Sequence, residues 1–188
     1  MAGEPPGGYA VAMLFTRTSI DGAFVVEPEP ISDERGFFAR TWCQREFKAH
    51  GLNSELVQCN LSFNRRKGTL RGMHYQAAPH QEAKLVRCTT GAIYDVAIDL
   101  RPTSPTFGAH TAAVLDAANR RMLYIPEGCA HGFLTLQDGT EVAYQMSAFY
   151  VPEADRGVRF DDPAFGIRWP DEVRVISQRD RSYPDVTL

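Results

Sequence analysis

No apolar run in the sequence approaches the ~20 residues that a membrane-spanning helix needs, so a membrane-embedded role has no support. Neither sign of charge is in excess: 20 Lys and Arg stand against 23 Asp and Glu, a formal net charge of −3. A chain so balanced is not drawn non-specifically to nucleic acid or to an anionic bilayer, and any anionic ligand must be held by local arginines and lysines. The opening Met1-Ala2-Gly3-Glu4-Pro5-Pro6-Gly7-Gly8 lacks the basic start and apolar centre of an export signal. The expectation is a soluble, cytoplasmic protein. Cysteine is scarce and scattered, for Cys43, Cys59, Cys88 and Cys129 form no C-x-x-C pair. That pattern speaks against a zinc site and against a small disulfide scaffold, and predicts reduced thiols. Neither G-x-G-x-x-G nor a Walker A sequence occurs, so a bound dinucleotide and NTP hydrolysis are without support.

What is present suits one globular unit. Of 188 residues, 44% are hydrophobic, enough for one buried core. Residues 1–12, rich in Gly and Pro, read as a disordered leader, and 13–188 as a single domain. β-rich runs recur between turn signals at residues 23–27, 36–42, 56–60, 84–89, 92–100, 111–115, 122–125, 132–136 and 141–147. A parallel sheet would need helical crossovers of about a dozen residues or more between these runs, and no helical stretches of that length are present. The predicted class is therefore an all-β sandwich or barrel, and a Rossmann fold is excluded. One helix is predicted over residues 44–50, closing at Gly51. Asp95, Ala97 and Asp99 alternate with Val96, Ile98 and Leu100, the period of a strand with one buried face. The tail from 151 to 188 is rich in proline and charge yet carries Phe165 and Trp169, and is expected to wrap the barrel or a partner subunit.

Chemistry gathers around two histidines. His74 follows Gly68 after five intervening residues, and Pro126-Glu127-Gly128-Cys129-Ala130-His131 lies downstream. This frame resembles the two short motifs of metal-binding cupins, and implies an antiparallel β jelly roll with a few short helices. The cupins' second histidine position is Gln76 here, and their glutamate position falls on His80 or Gln81. Two histidines alone make a poor ligand set for a catalytic divalent ion, which usually takes three protein ligands, so no metal is expected. A neutral imidazole freed from a metal is a general base near neutral pH. The plainer reading makes His74 and His131 hydrogen-bonded interior residues. Arg71 beside His74, with Lys84 on the next strand, would form a basic pocket for an anionic substrate and a developing enolate; alternatively both are solvated rim charges. If 70–76 is a strand, Gly72, His74 and Gln76 share one face and Arg71, Met73 and Tyr75 the other, unless a bulge re-aims Arg71.

Five segments together carry a closer likeness: Asp33-Glu34-Arg35-Gly36-Phe37-Phe38, Leu70-Arg71-Gly72-Met73-His74-Tyr75-Gln76, Lys84-Leu85-Val86-Arg87, Ser104-Pro105-Thr106-Phe107-Gly108 and Ile125-Pro126-Glu127-Gly128-Cys129-Ala130-His131-Gly132-Phe133. Over residues 15–180 the chain resembles the dTDP-4-dehydrorhamnose 3,5-epimerases. The resemblance implies a cofactor-independent epimerase of a nucleotide-linked 4-keto-6-deoxyhexose, acting through an enolate at C3 and C5. It places the base on His74, its carboxylate partner on Asp180, the enolate stabiliser on Lys84 and the proton donor on Tyr144. Substrate contacts carry over to Arg35, Gln58, Asn60, Arg71 and His131, with Phe149 stacking on the nucleotide base. It also implies a homodimer with shared active sites, in which Phe38 serves the neighbouring pocket. The chain departs from the family pattern at Leu61, Arg40 and Phe149, positions tied to sugar or base recognition. Inversion at C3 or C5 alone is the nearest rival. A metal-dependent cupin isomerase or dioxygenase would need further ligands, and a non-catalytic sugar-binding cupin would have no use for His74, Lys84, Tyr144 and Asp180 together.

Overall fold

The computed structural model describes residues 12–186, so all but Ala12 of the expected leader lies outside the described residues. Strands β1 (Met13–Arg17), β2 (Phe24–Pro28), β3 (Ile31–Asp33) and β4 (Gly36–Phe38) precede helix α1 (Gln44–Ala49). Then follow β5 (Gln58–Asn64), β6 (Leu70–Gln76), β7 (Lys84–Thr90), β8 (Ala92–Asp99), β9 (His110–Asp116), β10 (Met122–Ile125), β11 (Cys129–Thr135), β12 (Thr140–Met146), β13 (Asp155–Gly157) and helix α2 (Gln178–Arg181). One sheet has the order β1-β2-β10-β7-β12-β5, a second β13-β6-β11-β8-β9, and β3-β4 forms a separate ribbon. The pairings within them are antiparallel, as expected of a jelly roll.

All nine predicted strands form, with shifted ends: the run from 36 stops at Phe38, and that of 56–60 begins at Gln58 and extends to Asn64. Strands β1, β3 and β13 and helix α2 were not legible, being short or lying in polar sequence. Helix α1 ends where Gly51 takes a φ of 72°, a conformation that glycine adopts at no steric cost.

Alternation inside each strand divides core from site. Along β7, Val86 and Cys88 enter the core between the sheets, and along β12 Val142 does the same. They meet Ile93, Ala97 and Phe133 from the opposite sheet. Each such side chain contributes about 1.5–3 kcal/mol by leaving water. One step further along the same inner faces stand Lys84, Tyr144 and Met146, which line a cavity instead.

The outer faces are also covered. Phe47 of α1 packs with Leu85, Tyr124 and Phe24 on the six-stranded sheet. Val158, Phe160, Phe165 and Trp169 of the C-terminal segment lie with Met73, Val96, Ile98 and Ala130 on the five-stranded one. Strand β8 is consequently buried on both faces, and the alternation expected to mark a solvent-facing side marks the interior: Asp95 and Asp99 are both 0% exposed.

Candidate active site

A cavity of about 330 Å³ opens between the sheets and is lined by His74, Arg71, Lys84, His131, Tyr144 and Asn60, among others. His74 is supplied by β6 and Tyr144 by β12, so these two reach the cavity from opposite sheets. Arg71 arrives by a local irregularity. Strand β6 pairs with β11 through His74 opposite His131 and Arg71 opposite Phe133, leaving one residue more on β6 than on β11 between those pairs. That extra residue turns the strand and brings Arg71 to the cavity that His74 lines.

Closeness of the two strands depends on glycine. A Cβ on Gly132 would lie 2.6 Å from Met73 Sδ and 2.8 Å from the Arg71 carbonyl oxygen, and one on Gly72 would lie 2.5 Å from Gly132 Cα. Any side chain at either position would push apart the strands that carry His74 and His131.

His74 and Asp180 form a close pair. The Nε2 of His74 lies 2.8 Å from Asp180 Oδ1, while Asp180 Oδ2 accepts from the Gly72 backbone N–H at 3.2 Å. Burial pushes the Asp180 carboxyl up, but the His74 hydrogen bond and charge, with the Gly72 N–H and Ser177, outweigh it and hold the group below the ordinary carboxylate range. An ionised carboxylate accepts only, so the imidazole proton sits on Nε2 and the lone pair of Nδ1 is left as base. Asp180 belongs to the short α2, whose N-cap Ser177 Oγ accepts from the Asp180 backbone N–H at 3.0 Å. The C-terminal segment thus delivers the carboxylate.

Lys84 is 6% exposed. Its Nζ donates to the His74 carbonyl oxygen at 3.1 Å and lies 3.0 Å from Glu82 Oε1, which occupies two of its three N–H groups. The third is left for the cavity. Tyr144 Oη lies 3.2 Å from Ser62 Oγ; burial pushes its phenol well above the ordinary range, against the hydrogen bond between the two hydroxyls. His131 pairs through Nε2 with Asp95 Oδ1 at 2.7 Å, and burial drives the Asp95 carboxyl upward against the charge of His131.

The remaining expected positions are dispersed. Gln58 opens β5 and does not line the cavity, its Oε1 accepting from the Tyr150 N–H at 3.3 Å and its Nε2 donating to Asn60 Oδ1 at 3.2 Å. Phe149 lies in the segment after β12, exposed, with its carbonyl oxygen bound by Gln76 Nε2. Arg35 and Phe38 lie on the exposed β3-β4 ribbon and do not line the cavity; Arg35 is paired with Asp33. Sequence reading missed Ser62, Glu82, Asp95, Asp155 and Arg179. Two had a signal: Ser62 is two residues from Asn60 and Glu82 two from Lys84, the spacing of one strand face. Asp95 looked solvent-facing. Among the described residues no group of three or more His, Cys, Asp or Glu side chains is placed to hold a metal ion, and no helix is long and apolar enough to cross a membrane.

The family model for dTDP-4-dehydrorhamnose 3,5-epimerase matches residues 17–187. The dTDP-4-dehydrorhamnose 3,5-epimerase of Methanothermobacter thermautotrophicus is 46% identical over 172 residues, covering 90% of this chain and 92% of its own. The crystal structure of the Bacillus anthracis epimerase with TDP and PPi bound superposes with a TM-score of 0.89 at 38% identity, over 93% of this chain and 100% of that one. A 3'-monoepimerase from Streptomyces bikiniensis, in complex with dTDP-quinovose, does so at 0.81 and 34% identity, over 89% and 85%. Similarity that runs through nearly the whole chain, and that includes the strands framing the cavity, places it in the dTDP-4-dehydrorhamnose 3,5-epimerase family, within the isomerase class of enzymes.

Proposed function

We propose that this protein epimerises dTDP-4-dehydro-6-deoxyglucose at C3 and C5, in the cytoplasm, in deoxysugar biosynthesis. The observation that carries the reading is the His74–Asp180 pair on one side of the cavity and Tyr144 on the other, with the Lys84 ammonium between the strands that hold them. Protons on C3 and C5 are acidic only because the C4 carbonyl accepts charge as an enolate. His74 Nδ1 removes such a proton, and Asp180 stabilises the imidazolium that results. The free N–H of Lys84 meets the C4 oxygen as it becomes negative. Tyr144 then donates its proton to the opposite face of the carbon, which inverts the centre. The imidazolium gives its proton to solvent and the phenolate takes one from it, so the protons balance with these side chains and water.

Arg71 and Asn60 supply polar contacts within the cavity, His131 closes its inner wall, and Gln58 and Phe149 contact the nucleotide. Arg35 and Phe38 fit this scheme in a dimer, where the exposed ribbon of one copy, with Phe38 68% exposed, covers the pocket of the other. A weaker nucleotide affinity in Phe38→Ala, with the dimer retained in light scattering, would support the shared pocket; unchanged affinity would count against it.

Turnover in deuterated water tests the whole reading. Label at both C3 and C5 is expected with dTDP-4-dehydro-6-deoxyglucose, and none with His74→Ala. Label at C3 alone would make this chain a mono-epimerase like its Streptomyces bikiniensis relative. No label at either carbon would end the proposal.

A further inference from the structure

Tyr144 raises a question of direction: a phenol next to a serine hydroxyl can give its proton to that serine or receive one. The answer lies three side chains away, where Arg71 Nε lies 2.7 Å from Asn64 Oδ1. A guanidinium only donates, so Oδ1 accepts and the Asn64 amide cannot be turned over. Its NH₂ group therefore faces the Thr140 carbonyl oxygen at 3.2 Å and Ser62 Oγ at 3.5 Å. Ser62 Oγ accepts from Asn64, and its own hydrogen is left to point at Tyr144 Oη, 3.2 Å away. The phenolic hydrogen is then turned away from Ser62. Asn64 is 2% exposed, Ser62 and Tyr144 line the cavity, and all three sit on the paired strands β5 and β12, with Asn60 opposite Tyr144 and Ser62 opposite Val142.

We propose that Ser62 and Asn64 are positioning residues for the proton donor: a one-way hydrogen-bond chain from Arg71 through Asn64 and Ser62 aims the Tyr144 proton into the cavity. This rests on Tyr144 being the acid of the reaction. When the phenol gives its proton to the sugar carbon, the O–H bond of Tyr144 breaks, a C–H bond forms, and Ser62 already donates to the oxygen that becomes negative. Ser62 thus acts at the moment of donation and has no part in the first deprotonation. Neither residue contacts the base, for His74 is held by Asp180 and by its own strand.

The test separates inversion from exchange. Ser62→Ala is expected to lower the rate of inverted product by roughly 10- to 100-fold, the worth of one hydrogen bond to a charged oxygen. Deuterium uptake without inversion should continue at close to the original rate, with KM little changed. Ser62→Thr keeps the hydroxyl and should restore inversion. Asn64→Asp retains an acceptor for Arg71 but offers no donor to Ser62, so the serine hydrogen swings to the new carboxylate and the phenol turns to Ser62; inversion should again fall while exchange persists. In a Tyr144→Phe background, Ser62→Ala should cost nothing further.

Equal loss of exchange and inversion in Ser62→Ala and Asn64→Asp, with no rescue by Ser62→Thr, would mean that the pair only supports the fold and would overturn the proposal. Normal inversion by Ser62→Ala, where Tyr144→Phe fails to invert, would overturn it and leave Tyr144 as the acid. Normal inversion by Tyr144→Phe would instead remove the acid itself, and the relay with it.

Discussion

Replacing Asp180 by Asn changes one oxygen for an NH₂ group in a site too closed to absorb the change, since Asp180 is 5% exposed. The Gly72 N–H at 3.2 Å needs an acceptor, so the remaining amide oxygen stays on that side. The NH₂ group must then face His74 Nε2, now 2.8 Å from a carboxylate oxygen. Nε2 becomes the acceptor, the ring proton moves to Nδ1, and the lone pair proposed as the base is gone. Loss of the charge-assisted bond alone is worth about 1.5–3 kcal/mol, or roughly 10- to 150-fold in rate at about 1.4 kcal/mol per decade. The wrong tautomer adds to this and brings the expected fall to roughly 10²–10⁴-fold, the full worth of a positioned base. The assay is solvent deuterium uptake at C3 and C5 of the 4-keto sugar followed by NMR, with circular dichroism to show the fold retained. Exchange and inversion should fall together, because both need the first deprotonation. An Asp180→Asn enzyme that exchanges at the rate of the unaltered protein would refute the assignment of His74 Nδ1 as base and of Asp180 as its orienting partner.

Other outcomes follow from the same geometry. Tyr144→Phe should keep deuterium exchange and lose most inversion, because base and enolate stabiliser are untouched; inversion at the normal rate would move the acid to Tyr75, Tyr150 or water. Lys84→Ala removes the cation that meets the enolate and should slow exchange and inversion equally by roughly 10²–10³-fold, and it leaves Glu82, whose Oε2 is buried without a partner, as an unpaired charge, so a fall in melting temperature should accompany it. Gly132→Ala forces β6 away from β11 and should abolish turnover while lowering stability by an amount typical of overpacking, about 1–3 kcal/mol; a fully active alanine variant would show that the strand contact is not needed. Asp99 is raised by burial but held down to about 2 by Arg101, Ser104 and Thr106, against an ordinary value of 3.8. A carboxyl depressed on folding stabilises above its unfolded value and loses that contribution as pH falls through the folded one, so Asp99→Asn should flatten the acid side of the stability curve between about pH 4 and 2, and an unchanged acid limb in thermal melts would contradict this.

Much of the site was legible as residue types but not as an arrangement. His74, Lys84, Tyr144 and Asp180 could be named from short motifs and family likeness, because their chemistry leaves few substitutes. Asp95 was misassigned to a wet face, since period-two alternation reports that a strand has two sides and not which side is dry. Arg71 was legible only as an alternative. A one-residue mismatch between β6 and β11 puts it beside His74, and that mismatch is a property of the pair of strands, absent from either sequence alone.

Local sequence determined the all-β class, the positions of nine strands, the helix closed by Gly51 and the family of the chain, because turn chemistry, β-propensity and alternation act over a few residues and survive without tertiary context. The grouping of His74, Asp180, Lys84 and Tyr144 around one cavity was decided by packing. Asp180 is 106 residues from His74, and Ser62 is 82 from Tyr144. Such pairs meet only when two sheets close on a shared core and the C-terminal segment lies down on the outer face of one of them. The direction of the hydrogen bonds, from Arg71 to Asn64 and on to Tyr144, is likewise a tertiary fact: a serine or an amide carries donor and acceptor alike, and only its neighbours in space fix which one it uses.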